Sequence, residues 1–152
     1  MNKRSLLTVA SLFILTSCGG TMPMLGIDSG KFRPCPSTPN CVSSMATDKK
    51  HFIEPILISA SSDDTRDIIL KVLDGFSRVK VKEIQANYIH AEFTSLIFRF
   101  VDDVEFYFPK SESDVVRVDI RSSSRVGRSD LGVNRKRMEA IREKIRDLDN
   151  VN

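Results

Sequence analysis

The sequence predicts an α+β domain: a curved antiparallel sheet of about five strands with two helices on one face, in the order β-α-β-β-β-β-α. Three observations carry this. Residues 102–108 and 114–121 alternate apolar and polar side chains on either side of a short connection, as a hairpin does. Two other stretches repeat apolar residues at helical spacing, one early and one at the C-terminal end. The strands between them follow one another across short turns, which makes the sheet antiparallel and leaves two amphipathic helices to cover one side of it.

In chain order, residues 52–58 (Phe-Ile-Glu-Pro-Ile-Leu-Ile) form the first strand, and Pro55, which has no N–H for a ladder, places it at an edge. Residues 61–64 (Ser-Ser-Asp-Asp) supply N-cap candidates for a helix whose stripe is Ile68, Ile69, Val72, Leu73 and Phe76, with Gly75 near its end. Residues 79–86 are a second strand. After a turn at Asn87 comes a third over 88–98, in which Ile89, Ala91 and Phe93 alternate with His90, Glu92 and Thr94. In the hairpin, Val104, Phe106 and Phe108 share a face with Val116, Val118 and Ile120, because a one-residue slip would turn one apolar set to water. That parity sets Asp103, Glu105 and Tyr107 opposite Arg117, Asp119 and Arg121, and cross-strand ion pairs are expected. The last helix runs over 131–148, capped by Ser129 or Asp130, with Leu131, Met138, Ile141, Ile145 and Leu148 on its stripe and Asn134 as the one polar member. The topology is similar to that of TATA-box-binding-like and helix-grip domains, an analogy of fold that carries no function.

The N-terminus has a different character. Lys3 and Arg4 precede an apolar run over 6–15, and Leu15-Thr16-Ser17-Cys18 follows. The run is too short for a membrane span, which needs about 20 residues, and fits a signal peptide over 1–17. The site resembles a bacterial lipobox, which implies cleavage before Cys18 and acylation of its sulfur and new amino group. Gly19 in the next position implies sorting to an outer membrane, facing the periplasm. Residues 18–30, with four glycines and a proline, read as lipidated cysteine and flexible tether, and residues 31–150 as one domain. Export removes Lys3 and Arg4 from 23 basic residues and none from 20 acidic ones, so the mature chain is nearly neutral. Such a balance argues neither for a nucleic-acid partner nor for an anionic membrane surface, and no nucleic-acid partner is expected.

Cys35 and Cys41 remain in an oxidising compartment, where they form a disulfide or stay as free thiols. A metal would need His51 or His90, and neither stands at ligand spacing, so no metal and no cofactor is expected. The richest stretch is residues 121–135, Arg-Ser-Ser-Ser-Arg-Val-Gly-Arg-Ser-Asp-Leu-Gly-Val-Asn-Arg. It sets hydroxyls and guanidinium groups just before a helix N-terminus, where an anion is well received. The same arginines could instead pair with Asp102, Asp103, Glu105 and Asp130 and simply fix the loop. Asp102 and Asp103 point to opposite faces of their strand and cannot serve one substrate atom as paired carboxylates. His90 lies on a strand beside Tyr88 and Glu92 with no nucleophile nearby, and no catalytic set is found.

Residues 35–44 (Cys-Pro-Ser-Thr-Pro-Asn-Cys-Val-Ser-Ser), residues 98–106 with the core 101–106 (Val-Asp-Asp-Val-Glu-Phe) and the stretch 121–135 resemble the three signatures of the DUF1499 family, a domain of unknown function in bacterial envelope and plant plastid proteins. Thr38 stands where that family more usually has Ser or Asp. The resemblance implies the domain boundary and the meeting of the three stretches in space, and it supplies no reaction. The expectation is therefore a lipid-anchored envelope protein whose domain is a non-catalytic module for an anionic or amphipathic small ligand. Its contacts would be Arg121, Ser123, Arg125, Arg128, Asn134 and Arg135, oriented by Asp102 and Asp103. The alternative is a structural or scaffolding lipoprotein that binds a protein partner and uses the same residues as an internal staple.

Overall fold

The computed structural model describes residues 24–149. The signal peptide, Cys18 and the first part of the expected tether lie outside the described residues. The chain folds as an α+β domain with an open antiparallel sheet and two helices. Its elements are β1 (Ile27–Asp28), β2 (Lys31–Phe32), β3 (Cys41–Ser43), β4 (Ile56–Ile58), α1 (Ser62–Asp74), β5 (Val79–Ile84), β6 (Tyr88–Thr94), β7 (Val101–Tyr107), β8 (Val116–Ser124) and α2 (Val133–Asp149). The main sheet runs β3-β8-β7-β6-β5, and β4 joins it by pairing with the other half of β8. The first strand expected over 52–58 begins only after Pro55, and it lies at the edge that proline demands.

The hairpin of β7 and β8 has the register the apolar pattern requires, with Phe106 opposite Ile120 and Val104 opposite Ser122. Val104, Phe106, Phe108, Val116, Val118 and Ile120 are all fully buried on one face. Ile69, Val72 and Leu73 of α1 and Met138, Ile141 and Ile145 of α2 close over them. Each such side chain contributes about 1.5–3 kcal/mol by leaving water.

Caps set the helix limits. Ser61 Oγ accepts the amide of Asp64 at 3.1 Å to start α1, and Gly75 returns its N–H to the carbonyl of Val72 at its end. The Asp130 carboxylate accepts the amides of Gly132 and Asn134 at 3.0 and 2.7 Å before α2. Leu131 and Gly132 have φ of 54° and 78°, a left-handed turn between cap and helix. The helix therefore starts at Val133 rather than 131, and Leu131, expected on the buried stripe, is 87% exposed.

A second difference concerns residues 26–30, read as tether. They belong to the folded domain: β1 pairs with β2 through a tight turn in which Ser29 and Gly30 have positive φ. The Gly26 N–H donates to Glu105 Oε1 at 2.7 Å, and the Phe32 ring meets the Tyr107 ring edge-on. With Ser44 donating to Asp119 at 2.7 Å, this N-terminal segment lies over part of the sheet face that the helices leave open.

Candidate functional site

The strand period decides what the open face carries. On β6 it presents Tyr88, His90 and Glu92, on β7 Asp103, Glu105 and Tyr107, and on β8 Arg117, Asp119, Arg121 and Ser123. Few of these are at the surface. Asp103, Glu105 and Ser123 are at most 1% exposed and Arg121 only 2%.

Two charge clusters fill this face. In the first, Arg121 Nη1 donates to Glu105 Oε2, while Oε1 of the same carboxylate accepts the Tyr88 hydroxyl at 2.8 Å and the Gly26 amide. Burial, together with the adjacent Glu105 charge, pushes the Tyr88 phenol well above its ordinary pKa, so it stays a donor. Arg121 Nε is buried with no hydrogen-bond partner. In the second cluster, Arg125 folds back from the end of β8 to grip Asp103 with two bonds, Nε to Oδ2 at 2.8 Å and Nη2 to Oδ1 at 2.7 Å. Its Nη2 also donates to Glu92, and His90 Nε2 faces Asp103 Oδ1 at 2.8 Å. Burial alone would raise the Asp103 carboxyl, but the bonds from Arg125 and His90 outweigh it and hold the pKa below the usual carboxylate value. The Asp103 bond in turn raises the Arg125 guanidinium above its own ordinary value.

Asp102 faces the other way. It lies on the helix side, where Arg137 of α2 donates to it and stacks over the Phe93 ring at 5.0 Å. Arg137 also donates to Asn134 Oδ1, which accepts from Ser122 Oγ as well. Asn134 Nδ2 donates to the Asn40 carbonyl at 3.0 Å and to Ser124 Oγ at 2.9 Å, and Asn40 Nδ2 reaches the Gly127 carbonyl at 2.8 Å. Asn40 precedes Cys41, which is joined to Cys35 by a disulfide. The cysteine loop, the Asp102–Asp103 pair and the Arg/Ser loop therefore meet, with β3 against β8 and β8 against β7.

The residues expected to share one ligand site are divided between two sides of the sheet. Asp103, Arg121, Ser123 and Arg125 lie on the open face, while Asp102 lies on the helix side and Asn134 stands in the first turn of α2, bonded to β8. Arg128 is exposed on the loop, and Arg135 donates to the Lys50 carbonyl at 3.1 Å. Of the cross-strand pairs expected in the hairpin, Glu105 with Arg121 forms. Arg117 instead pairs with Asp119 of its own strand, and Asp103 stands opposite Ser123. His90, Glu92, Tyr88, Ser122 and Arg137 were not among the expected site residues. Their signal in the sequence is the alternation of β6 for the first three, whereas nothing local marks Arg137.

Among the described residues no three His, Cys, Asp or Glu side chains gather as a metal site, and no helix is long and apolar enough to cross a membrane. Fold and site together define an α+β domain whose sheet is filled by helices on one face and by paired charges on the other. The chain belongs to the DUF1499 family, described as a protein of unknown function, whose model matches residues 31–145. No curated protein matches the sequence.

Proposed function

We propose that this chain is a lipid-anchored envelope protein, acylated at Cys18 and held at an outer membrane facing the periplasm, whose single domain is a non-catalytic binding module. An anionic or amphipathic partner is engaged at the outer end of the arginine loop. The observation that carries this reading is the distribution of the guanidinium groups. Arg121, Arg125 and Arg137 are committed to Glu105, Asp103 and Asp102 of the same domain, whereas Arg128 stands exposed three residues from the exposed side chain of Leu131. A charge beside an apolar group at the surface suits an amphipathic partner. The same pairing favours the scaffold reading for the buried arginines, which act as staples.

The two roles separate by substitution. Arg125→Ala strands the inaccessible Asp103 carboxylate and is expected to cost about 3–5 kcal/mol, read as a fall in melting temperature. Arg128→Ala is expected to change stability by less than about 0.5 kcal/mol and to remove the bound mass seen when the wild-type protein, gently extracted from its envelope, is measured by native mass spectrometry. A stable Arg125→Ala protein would end the staple assignment. An adduct unaffected by Arg128→Ala would end the assignment of binding to the loop.

A further inference from the structure

One end of the sheet is unlike the rest of the surface. The turn from β6 to β7, residues 95–100, is Ser-Leu-Ile-Phe-Arg-Phe, and Leu96, Ile97, Phe98 and Phe100 are all exposed, Ile97 by 78% and Phe98 by 71%. The Phe98 and Phe100 rings stack on each other at 5.4 Å, and Phe100 is 45% exposed. Leu131 and Val133, also exposed, belong to the same end, because the Arg125 amide donates to the Val101 carbonyl and brings the arginine loop beside this turn. Single exposed apolar residues are ordinary, but six large ones gathered at one end mark a contact surface.

We infer that this end is a membrane-contact tip, which enters the interfacial layer of a bilayer carrying anionic phospholipid. The inference rests on the reading of the chain as a lipid-anchored module and names the partner of that module's loop end. Charge supports a lipid surface. Arg78, Lys80, Arg99 and Arg128 are exposed around the apolar side chains, against Asp74 and an Asp130 whose carboxylate is occupied by two backbone amides. Basic residues in that position are drawn to anionic headgroups. Arg99, between the two phenylalanines, can lay its stem along them and keep its head in the headgroup layer. The base of the turn is closed on itself: the Ser95 amide donates to the Phe100 carbonyl at 2.8 Å and the Phe100 amide to Ser95 Oγ at 2.9 Å. These groups need no water to satisfy them as the turn approaches the bilayer.

Chain length permits the acyl anchor and the tip to share one leaflet. The eight peptide units from Cys18 to Gly26 reach at most about 29 Å. Gly26 is bonded to Glu105, and four strand residues, about 13 Å, separate Glu105 from Val101 at the base of the turn. A lipid anchor combined with a second membrane contact is also the arrangement that holds a protein stably at a surface and fixes its orientation.

The chain contains no tryptophan, so Phe98→Trp places a single reporter at the tip. The acylated full chain would be mixed with phosphatidylcholine vesicles, or with vesicles of equal phosphatidylcholine and phosphatidylglycerol. Flotation then reads the anchor and Trp emission reads the tip. The expected result is flotation with both, and on the anionic vesicles a blue-shifted emission quenched by lipids brominated in the acyl chain. Ile97→Trp should behave alike, and Leu57→Trp, exposed on β4, should not shift. Replacing both Arg99 and Arg128 by Gln should reduce the inserted fraction on anionic vesicles about fivefold for each arginine removed. A chain that floats while both tip reporters keep their aqueous emission overturns the tip and leaves the anchor standing. A chain that neither floats nor shifts overturns both. A blue shift that appears without vesicles and grows with protein concentration identifies a second copy as the occupant and overturns the lipid assignment.

Discussion

Along β7 the side chains enter two different interiors in turn. Val104 and Phe106 lie against the helices, and Asp103 and Glu105, one residue away, are just as inaccessible among arginines, a tyrosine and a histidine. The helix side is held by area removed from water, which is indifferent to the identity of the neighbour as long as volume is conserved. The open side is held by pairs, and a pair fails when either member is lost. One sheet thus combines a tolerant interior with an intolerant one, built back to back on β7 and β8.

The largest expected effect breaks a pair. Arg121→Met should destabilise the protein by about 3–5 kcal/mol, because it leaves the Glu105 carboxylate buried without its guanidinium partner. Adding Glu105→Gln should recover part of that loss, since it removes the stranded carboxylate while its amide oxygen can still accept the Tyr88 hydroxyl and the Gly26 amide. A double variant as unstable as Arg121→Met in urea denaturation would contradict the account of this face as a set of mutually dependent charges. Next comes acid. The folded Asp103 pKa is held below its unfolded value, so its contribution is complete above the usual carboxylate range and is lost as pH falls through the lowered folded value. Melting temperature against pH should therefore drop on the acid side, and the drop should begin at higher pH in Arg125→Leu, where the Arg125 bonds are gone and only His90 still lowers the Asp103 pKa. The smallest effect belongs to the helix side. Ile145→Val, fully inside the core, is expected to cost only about 0.5–1.5 kcal/mol in the same urea titration.

The same contrast explains what the sequence made legible. The β7–β8 register followed from alternation alone, since Val104, Phe106, Val118 and Ile120 had one way to share a face. The opposite orientations of Asp102 and Asp103 followed from the strand period, and the structure places them on opposite faces. What stayed hidden lacks a local pattern. β1, β2 and β3 are two or three residues long and are held by β8, Tyr107 and Glu105 rather than by their own periodicity. Arg137 reads as a solvated helix charge until its approach to Asp102, 35 residues earlier, is seen. Leu131 fits a helical stripe by spacing, and only the left-handed backbone at 131 and 132 takes it out of that stripe. The arginine loop was recognised as a cluster, but whether each guanidinium met a carboxylate depended on distances between strands that a linear pattern does not contain.

The division of labour along the outer edge of β8 has a consequence for crowding. A nine-residue strand with an open side is a template onto which another chain can polymerise. Here β3 covers one part and β4 another, and between them the Ile120 amide donates to Ser44 Oγ at 2.9 Å while the Ile120 carbonyl accepts the Ser44 amide. The far edge of the sheet, β5, carries Lys80, Lys82 and Glu83, charges that oppose strand addition. Two short strands and one serine thereby protect a small β-rich protein against runaway self-assembly, even where an anchor would concentrate many copies in one plane.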